Sequence, residues 1–125
     1  MKKVISTKDA PEAIGPYSQA VKAGNFVFIA GQIALQPGTN TMLEGDIAAQ
    51  TEQVLQNMKA ILHAAGADMS SVVKTHVYLT QPEDFAPMNK VYANYFSSDP
   101  PARVTVFVGS LPKNALVEID AVAQL

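Results

Sequence analysis

An arginine, a hydroxyl and two carboxylates fall near the C-terminus in two alternating stretches. In Pro101-Ala102-Arg103-Val104-Thr105-Val106-Phe107-Val108, three valines alternate with Arg103, Thr105 and Phe107, the period-2 pattern of a strand with two unlike faces. The valine face is expected to seek a core. The other face carries a guanidinium, which is costly to bury unpaired, so an anion is expected to meet it. In residues 116–123, Glu118 and Asp120 share one face, opposite Val117, Ile119 and Ala121. Lys113-Asn114 reads as a turn that pairs these two strands. Arg103 and Glu118 then have two readings. One is a fork that clamps a substrate carboxylate, with an acid that holds or activates water. The other is a cross-strand ion pair on an exposed face.

Other candidates carry less chemistry. Tyr17, in Gly15-Pro16-Tyr17-Ser18-Gln19, stands where a loop enters a strand and either walls a pocket or packs. Gly31, before Gln32-Ile33, either lets a ligand approach the backbone or ends a strand. The two histidines, His63 and His76, have no HExxH or i, i+4 partner, so no metal site is expected. Ser18 and Thr105 lack a nucleophile elbow or an evident base, which argues against an acyl-enzyme. No glycine-rich nucleotide motif occurs.

Composition bounds the answer. The chain of 125 residues has a formal net charge of −2 and no cysteine. That length fits a single domain spanning 1–125 with a core of its own. The absence of cysteine excludes disulfides, thiolate catalysis and Cys-based metal sites. The acidic balance argues against a general nucleic-acid binder. No apolar run reaches the roughly 18–20 residues of a membrane span. Met1-Lys2-Lys3-Val4-Ile5-Ser6 lacks the features of a signal peptide, and a cytoplasmic protein is the expectation.

The elements that must position the candidates read as follows. Residues 2–6 form a short edge strand, and residues 17–30 a hairpin turning at Gly24-Asn25. Asp46 caps a long helix. Its apolar stripe is Ile47, Thr51, Val54, Leu55, Met58, Ile61, Leu62 and Ala65, and Gly66 ends it. Residues 72–80 form a strand with Val73, Thr75, Val77 and Leu79 on one face and Lys74, His76 and Tyr78 on the other. Pro82 opens a second helix striped by Phe85, Met88, Tyr92, Tyr95 and Phe96. Two helices cover one face of such a sheet, an α+β layer. The second face, expected to mix Arg103, Thr105, Phe107, Glu118, Asp120, His76 and Tyr78, is too varied for plain solvent exposure. Packing against further copies of the chain would cover it.

Several of these pieces occur together in one family. They are Gly15-Pro16-Tyr17-Ser18-Gln19-Ala20, Gly31-Gln32-Ile33, Asn57-Met58 through Ala65-Gly66-Ala67, and Val72-Val73-Lys74-Thr75-His76-Val77-Tyr78-Leu79. Asn89 with Tyr92, Pro101-Ala102-Arg103 with Val106, Leu111-Pro112 and Glu118-Ile119 complete the set. In their order and spacing the chain resembles the Rid (YjgF) family of imine deaminases, most closely its RidA-type members. The resemblance implies a chorismate-mutase-like fold with a mixed sheet and a homotrimer whose three sheets form a barrel, with a cleft at each subunit interface. It implies hydrolysis of 2-imino acids or their enamines, such as 2-iminobutanoate and 2-iminopropanoate, to 2-oxo acids and ammonia. That activity protects pyridoxal-phosphate enzymes and needs no cofactor. Arg103 would bind the substrate carboxylate and Glu118 would position the attacking water. Tyr17, Ala30, Gly31, Asn89 and Thr105 would line the pocket. Ala30 and Val104 stand where the family often has serine, which bears on substrate preference. The alternatives are a trimer that binds small carboxylates without turnover, and an RNA-directed ribonuclease or translation inhibitor.

Overall fold

The computed structural model describes residues 1–125. The strands are β1 (Lys3–Ile5), β2 (Ala20–Ala23), β3 (Phe26–Gln32), β4 (Val72–Leu79), β5 (Ala102–Phe107) and β6 (Val117–Gln124). The helices are α1 (Ile47–Ala64) and α2 (Phe85–Tyr95). The strands form one mixed sheet in the order β1-β2-β3-β6-β4-β5. Only β4 and β5 run parallel, as the helical crossover through α2 requires.

α1 forms where the sequence places its signals. The Asp46 carboxylate accepts the Ala49 N–H at 2.9 Å, satisfying a donor that the first helical turn leaves free. Beyond the C-terminus Gly66 adopts φ 81°, a conformation that a Cβ disfavours. Between these ends Val54, Leu55, Met58, Ile61 and Leu62 are fully enclosed. They share one core with Val27 of β3, Val77 and Leu79 of β4, and Val117 and Ile119 of β6. Truncating Leu55 to alanine is expected to cost about 2–5 kcal/mol.

Three expectations need correction. First, β5 and β6 are not paired, because β4 lies between them. Lys113 and Asn114 do turn the chain, with φ 55° and 57°, but that turn leads β6 into the middle of the sheet. Second, the faces of β5 are reversed. Arg103 lies opposite Thr75, which is buried and faces Ala121 across the other ladder of β4. Arg103 and Thr105 therefore share the helix face of the sheet. Val104 and Val106 lie on the open face and remain 41% and 38% exposed. Third, the register of β4 shifts between Val72 and Lys74, so Val72 is buried and Val73 is exposed.

The open face is mixed, as expected, but with different members. Phe28 and the two β5 valines lie toward its sides. At its centre Tyr78 lies opposite Glu118 and His76 opposite Asp120. His76 Nδ1 is 2.7 Å from Asp120 Oδ1, and the Tyr78 hydroxyl donates to Asp120 Oδ2 at 3.3 Å.

Candidate active site

Arg103 sits on an edge strand beneath α2. Phe85 and Tyr92 are seven residues apart on that helix, two turns along the same face, and both rings meet the arginine. The Arg103 Cζ lies over the Tyr92 ring at 4.8 Å from its centroid and over the Phe85 ring at 5.8 Å. The ring quadrupoles stabilise the cation without using its in-plane hydrogen-bond donors. No carboxylate is in ion-pairing range of Arg103, since the chain's one such pair is His76–Asp120. Tyr92 is itself anchored, its hydroxyl sharing a 2.7 Å hydrogen bond with Thr75 Oγ1 of β4. Burial raises the Tyr92 phenol above its ordinary pKa, against smaller opposing effects of Thr75 and the Arg103 charge, so the ring stays neutral. Two residues along, Thr105 Oγ1 is shut from solvent and has no hydrogen-bond partner in the chain. Asn89 is half-buried on α2, one turn from Phe85.

Glu118 occupies a second region, on the open face of β6. It borders a pocket of about 410 Å³ shared with Tyr17, Gly31, Ile14, Pro112 and Lys113. Gly31 is built into this pocket by a register shift of β3 between Ile29 and Gln32. A Cβ placed on Gly31 would come within 2.1 Å of Glu118 Oε2, so the carboxylate lies where a side chain would stand. What approaches the Gly31 backbone is therefore Glu118. Burial raises the Glu118 pKa, and the Asp120 charge raises it further. A carboxylate displaced in this direction is a stronger base once ionised. Tyr17 is 55% exposed at the pocket rim, with its hydroxyl accepting the Ile14 N–H at 3.4 Å.

The candidate residues thus fall into two groups. Arg103, Thr105 and Asn89 belong to the β5 and α2 side of the sheet. Tyr17, Gly31 and Glu118 border the open-face pocket, and Ala30 lies in β3 beside it. Arg103 and Glu118 lie on opposite faces with β4 between them, which excludes the cross-strand ion pair. The bracketing role of Phe85 and Tyr92 was not foreseen. Their helical spacing reads as a core stripe, yet Phe85 is 37% exposed. The sequence places His76, Tyr78 and Asp120 on one face, as observed; their hydrogen-bonded grouping follows from the pairing of β4 with β6. No group of three His, Cys, Asp or Glu side chains is arranged to hold a metal ion. No helix is long and apolar enough to cross a membrane.

Comparisons with known proteins add to this geometry. The sequence profile of the family described as endoribonuclease L-PSP matches residues 7–125. A RutC family protein of Pyrococcus horikoshii is 58% identical over 123 residues, covering 98% of each chain. A protein of Dermatophagoides farinae named 2-iminobutanoate/2-iminopropanoate deaminase is 48% identical, over 97% of this chain and 94% of its own. Among solved structures, a Rid-family protein of Yersinia pestis superposes with a TM-score of 0.97 at 45% identity, covering 100% of both chains.

Proposed function

Because this chain belongs to the endoribonuclease L-PSP (YjgF/Rid) family, we propose that it hydrolyses 2-imino acids, such as 2-iminobutanoate and 2-iminopropanoate, to 2-oxo acids and ammonia. A relative named for this reaction supports the reading across nearly the full chain. The observation that carries it is the state of the two charged groups. Arg103 has an unspent fork backed by two rings, and Glu118 is a desolvated carboxylate in a pocket.

The chemistry asks little more. The Arg103 fork binds the substrate carboxylate through two parallel N–H···O bonds. The ionised Glu118 holds a water and takes its proton as the oxygen adds to C2 of the protonated imine. Glu118 returns that proton to the nitrogen; as the C–N bond breaks and ammonia leaves, the carbinol hydroxyl gives up its remaining proton to Glu118 and the C=O bond forms. Orientation and a preorganised field supply the acceleration. No step calls on a cofactor, nor on the hydroxyl missing at Ala30.

In the same reading the site is completed between copies of the chain. One chain holds Arg103 and Glu118 on opposite faces of its sheet, so a single substrate reaches both only if one copy's β5 edge meets the next copy's pocket. A homotrimer with three equivalent clefts satisfies this and covers Phe28, Val104 and Val106. The protein acts on this view in the cytoplasm, on free small molecules, without nucleic acid or membrane.

The test generates the two imines with an amino-acid oxidase and traps them with semicarbazide. The protein is expected to suppress semicarbazone formation, and folded Arg103→Ala and Glu118→Gln variants are not. Undiminished trapping by the folded parent, with retained binding of 2-oxobutanoate, would leave a carboxylate-binding trimer instead.

A further inference from the structure

We infer that Tyr92 is the positioning residue for Arg103, its ring fixing the direction in which the guanidinium offers its fork to the substrate carboxylate. The inference deepens the functional reading above and rests on it for the identity of the ligand. Three observations converge. Arg103 belongs to an edge strand, with a neighbour on one side only, so the sheet constrains its side chain less than it would in an interior strand. No carboxylate or hydrogen-bond acceptor in the chain orients the guanidinium; the contacts it makes are ring faces, the nearer being Tyr92 at 4.8 Å. The Tyr92 ring is in turn held at both ends. Its Cα lies on α2, and its hydroxyl is bonded to Thr75, the residue directly opposite Arg103 in the β4–β5 ladder.

This closes a loop: Arg103 to its ladder partner Thr75, Thr75 to the Tyr92 hydroxyl, and the Tyr92 ring back to the guanidinium. A long flexible side chain loses rotamer entropy when it binds. Stacking on a pinned ring removes part of that freedom before the substrate arrives. Phe85 supports the arrangement from farther away, at 5.8 Å, and its partial exposure makes it the weaker constraint. Tyr92 touches neither substrate nor water in this account; it acts through Arg103.

Tyr92→Leu removes the ring while keeping apolar volume. It is expected to raise KM for the imines and the Kd for 2-oxobutanoate by roughly 2- to 30-fold, the range of a stacked cation, with little change in kcat. Tyr92→Phe keeps the ring and loses the Thr75 bond. It is expected to lower thermal stability and to raise Kd less than Tyr92→Leu does, with kcat little changed in both; this graded rise in Kd is what a merely structural tyrosine would not give. Phe85→Leu, at a partly exposed position, is the variant to use if Tyr92→Leu does not fold, with a smaller rise in Kd in the same direction.

An independent readout is the Arg103 side-chain Nε–H resonance, assigned by its loss in Arg103→Lys. A ring-current shift is expected in the parent and in Tyr92→Phe, and its loss in Tyr92→Leu. Folded Tyr92→Leu with parental Kd, or with an unmoved Nε–H resonance, would overturn the inference. If the parent fails to hydrolyse imines, the functional reading falls, while the resonance and 2-oxobutanoate binding still decide the role of Tyr92.

Discussion

The two halves of the candidate site solve opposite electrostatic problems by opposite means. On the helix face a cation is held without any anion, by the faces of Phe85 and Tyr92. On the open face a carboxylate is held without any cation in pairing range, against the bare backbone of Gly31 and near a second acid, Asp120. Had the chain set Arg103 and Glu118 side by side, each would have neutralised the other and the fork would be spent. Placing β4 between them, with their side chains on opposite faces, prevents that. The lesson is that topology alone can keep a cation and a carboxylate of one chain from neutralising each other.

The largest effects should come from removing the charged groups themselves. Glu118→Gln is expected to lower kcat by about 10²–10⁴-fold, the usual span for a lost general base, with the 2-oxobutanoate Kd little changed. Arg103→Ala should cut kcat/KM by roughly 30- to 1,000-fold and weaken 2-oxobutanoate binding in parallel. Comparing the two by calorimetry alongside the trapping assay sharpens the division: one half chiefly binds, the other chiefly reacts. Equal loss of binding in both would erase it.

Gly31→Ala comes next. The new methyl would occupy the Glu118 carboxylate position, and displacement by an ångström or so is expected to cost about 10²-fold in kcat. Thermal melting checks that the fold survives, and a glutamate that tolerates the methyl with full activity would contradict the close approach.

A smaller and directional effect is expected from Asp120→Asn. Glu118 must be ionised to accept a proton, and burial, then Asp120, raise its pKa. Activity should therefore fall on the acid side at a pH above the ordinary glutamate value. Removing the Asp120 charge lowers the Glu118 pKa, so the acid limb of the kcat profile should move to lower pH. A limb that stays in place or moves up would break the proposed coupling.

The smallest effect on the site should come from Asp46→Ala, which touches neither half. Losing the cap of α1 should cost about 1 kcal/mol of unfolding free energy, read from urea denaturation, with kcat/KM unchanged.

The same two regions show how far a sequence can be read. α1 was legible from end to end because Asp46, the three-and-four spacing and Gly66 each carry a local physical signal. The shared face of Glu118 and Asp120 was legible because β6 is an interior strand with one side packed on the core. β5 is not legible in the same way, because alternation shows that two faces differ without showing which meets the helices. Hydrophobicity alone points the valines to the core. In the fold α2 offers aromatic rings, which accept the arginine, while the valines lie on the outer face. The separation of β5 from β6 is illegible for a different reason. Local turn chemistry at Lys113-Asn114 reports a change of direction, whereas strand order depends on the long-range insertion of β6 between β3 and β4. The family resemblance names Arg103 and Glu118 as candidates, but only the topology shows that one chain holds them on opposite faces with β4 between them.

That separation can be tested by mixing two variants that are each inactive alone. Arg103→Ala and Glu118→Gln chains, combined in equal amounts by co-refolding, should give cyclic assemblies in which about one cleft in four receives Arg103 from one copy and Glu118 from the next. The mixture is expected to recover about a quarter of parental activity in the trapping assay. Recovery no greater than the sum of the separate variants, in assemblies shown to contain both chains, would mean that Arg103 and Glu118 do not act from different copies.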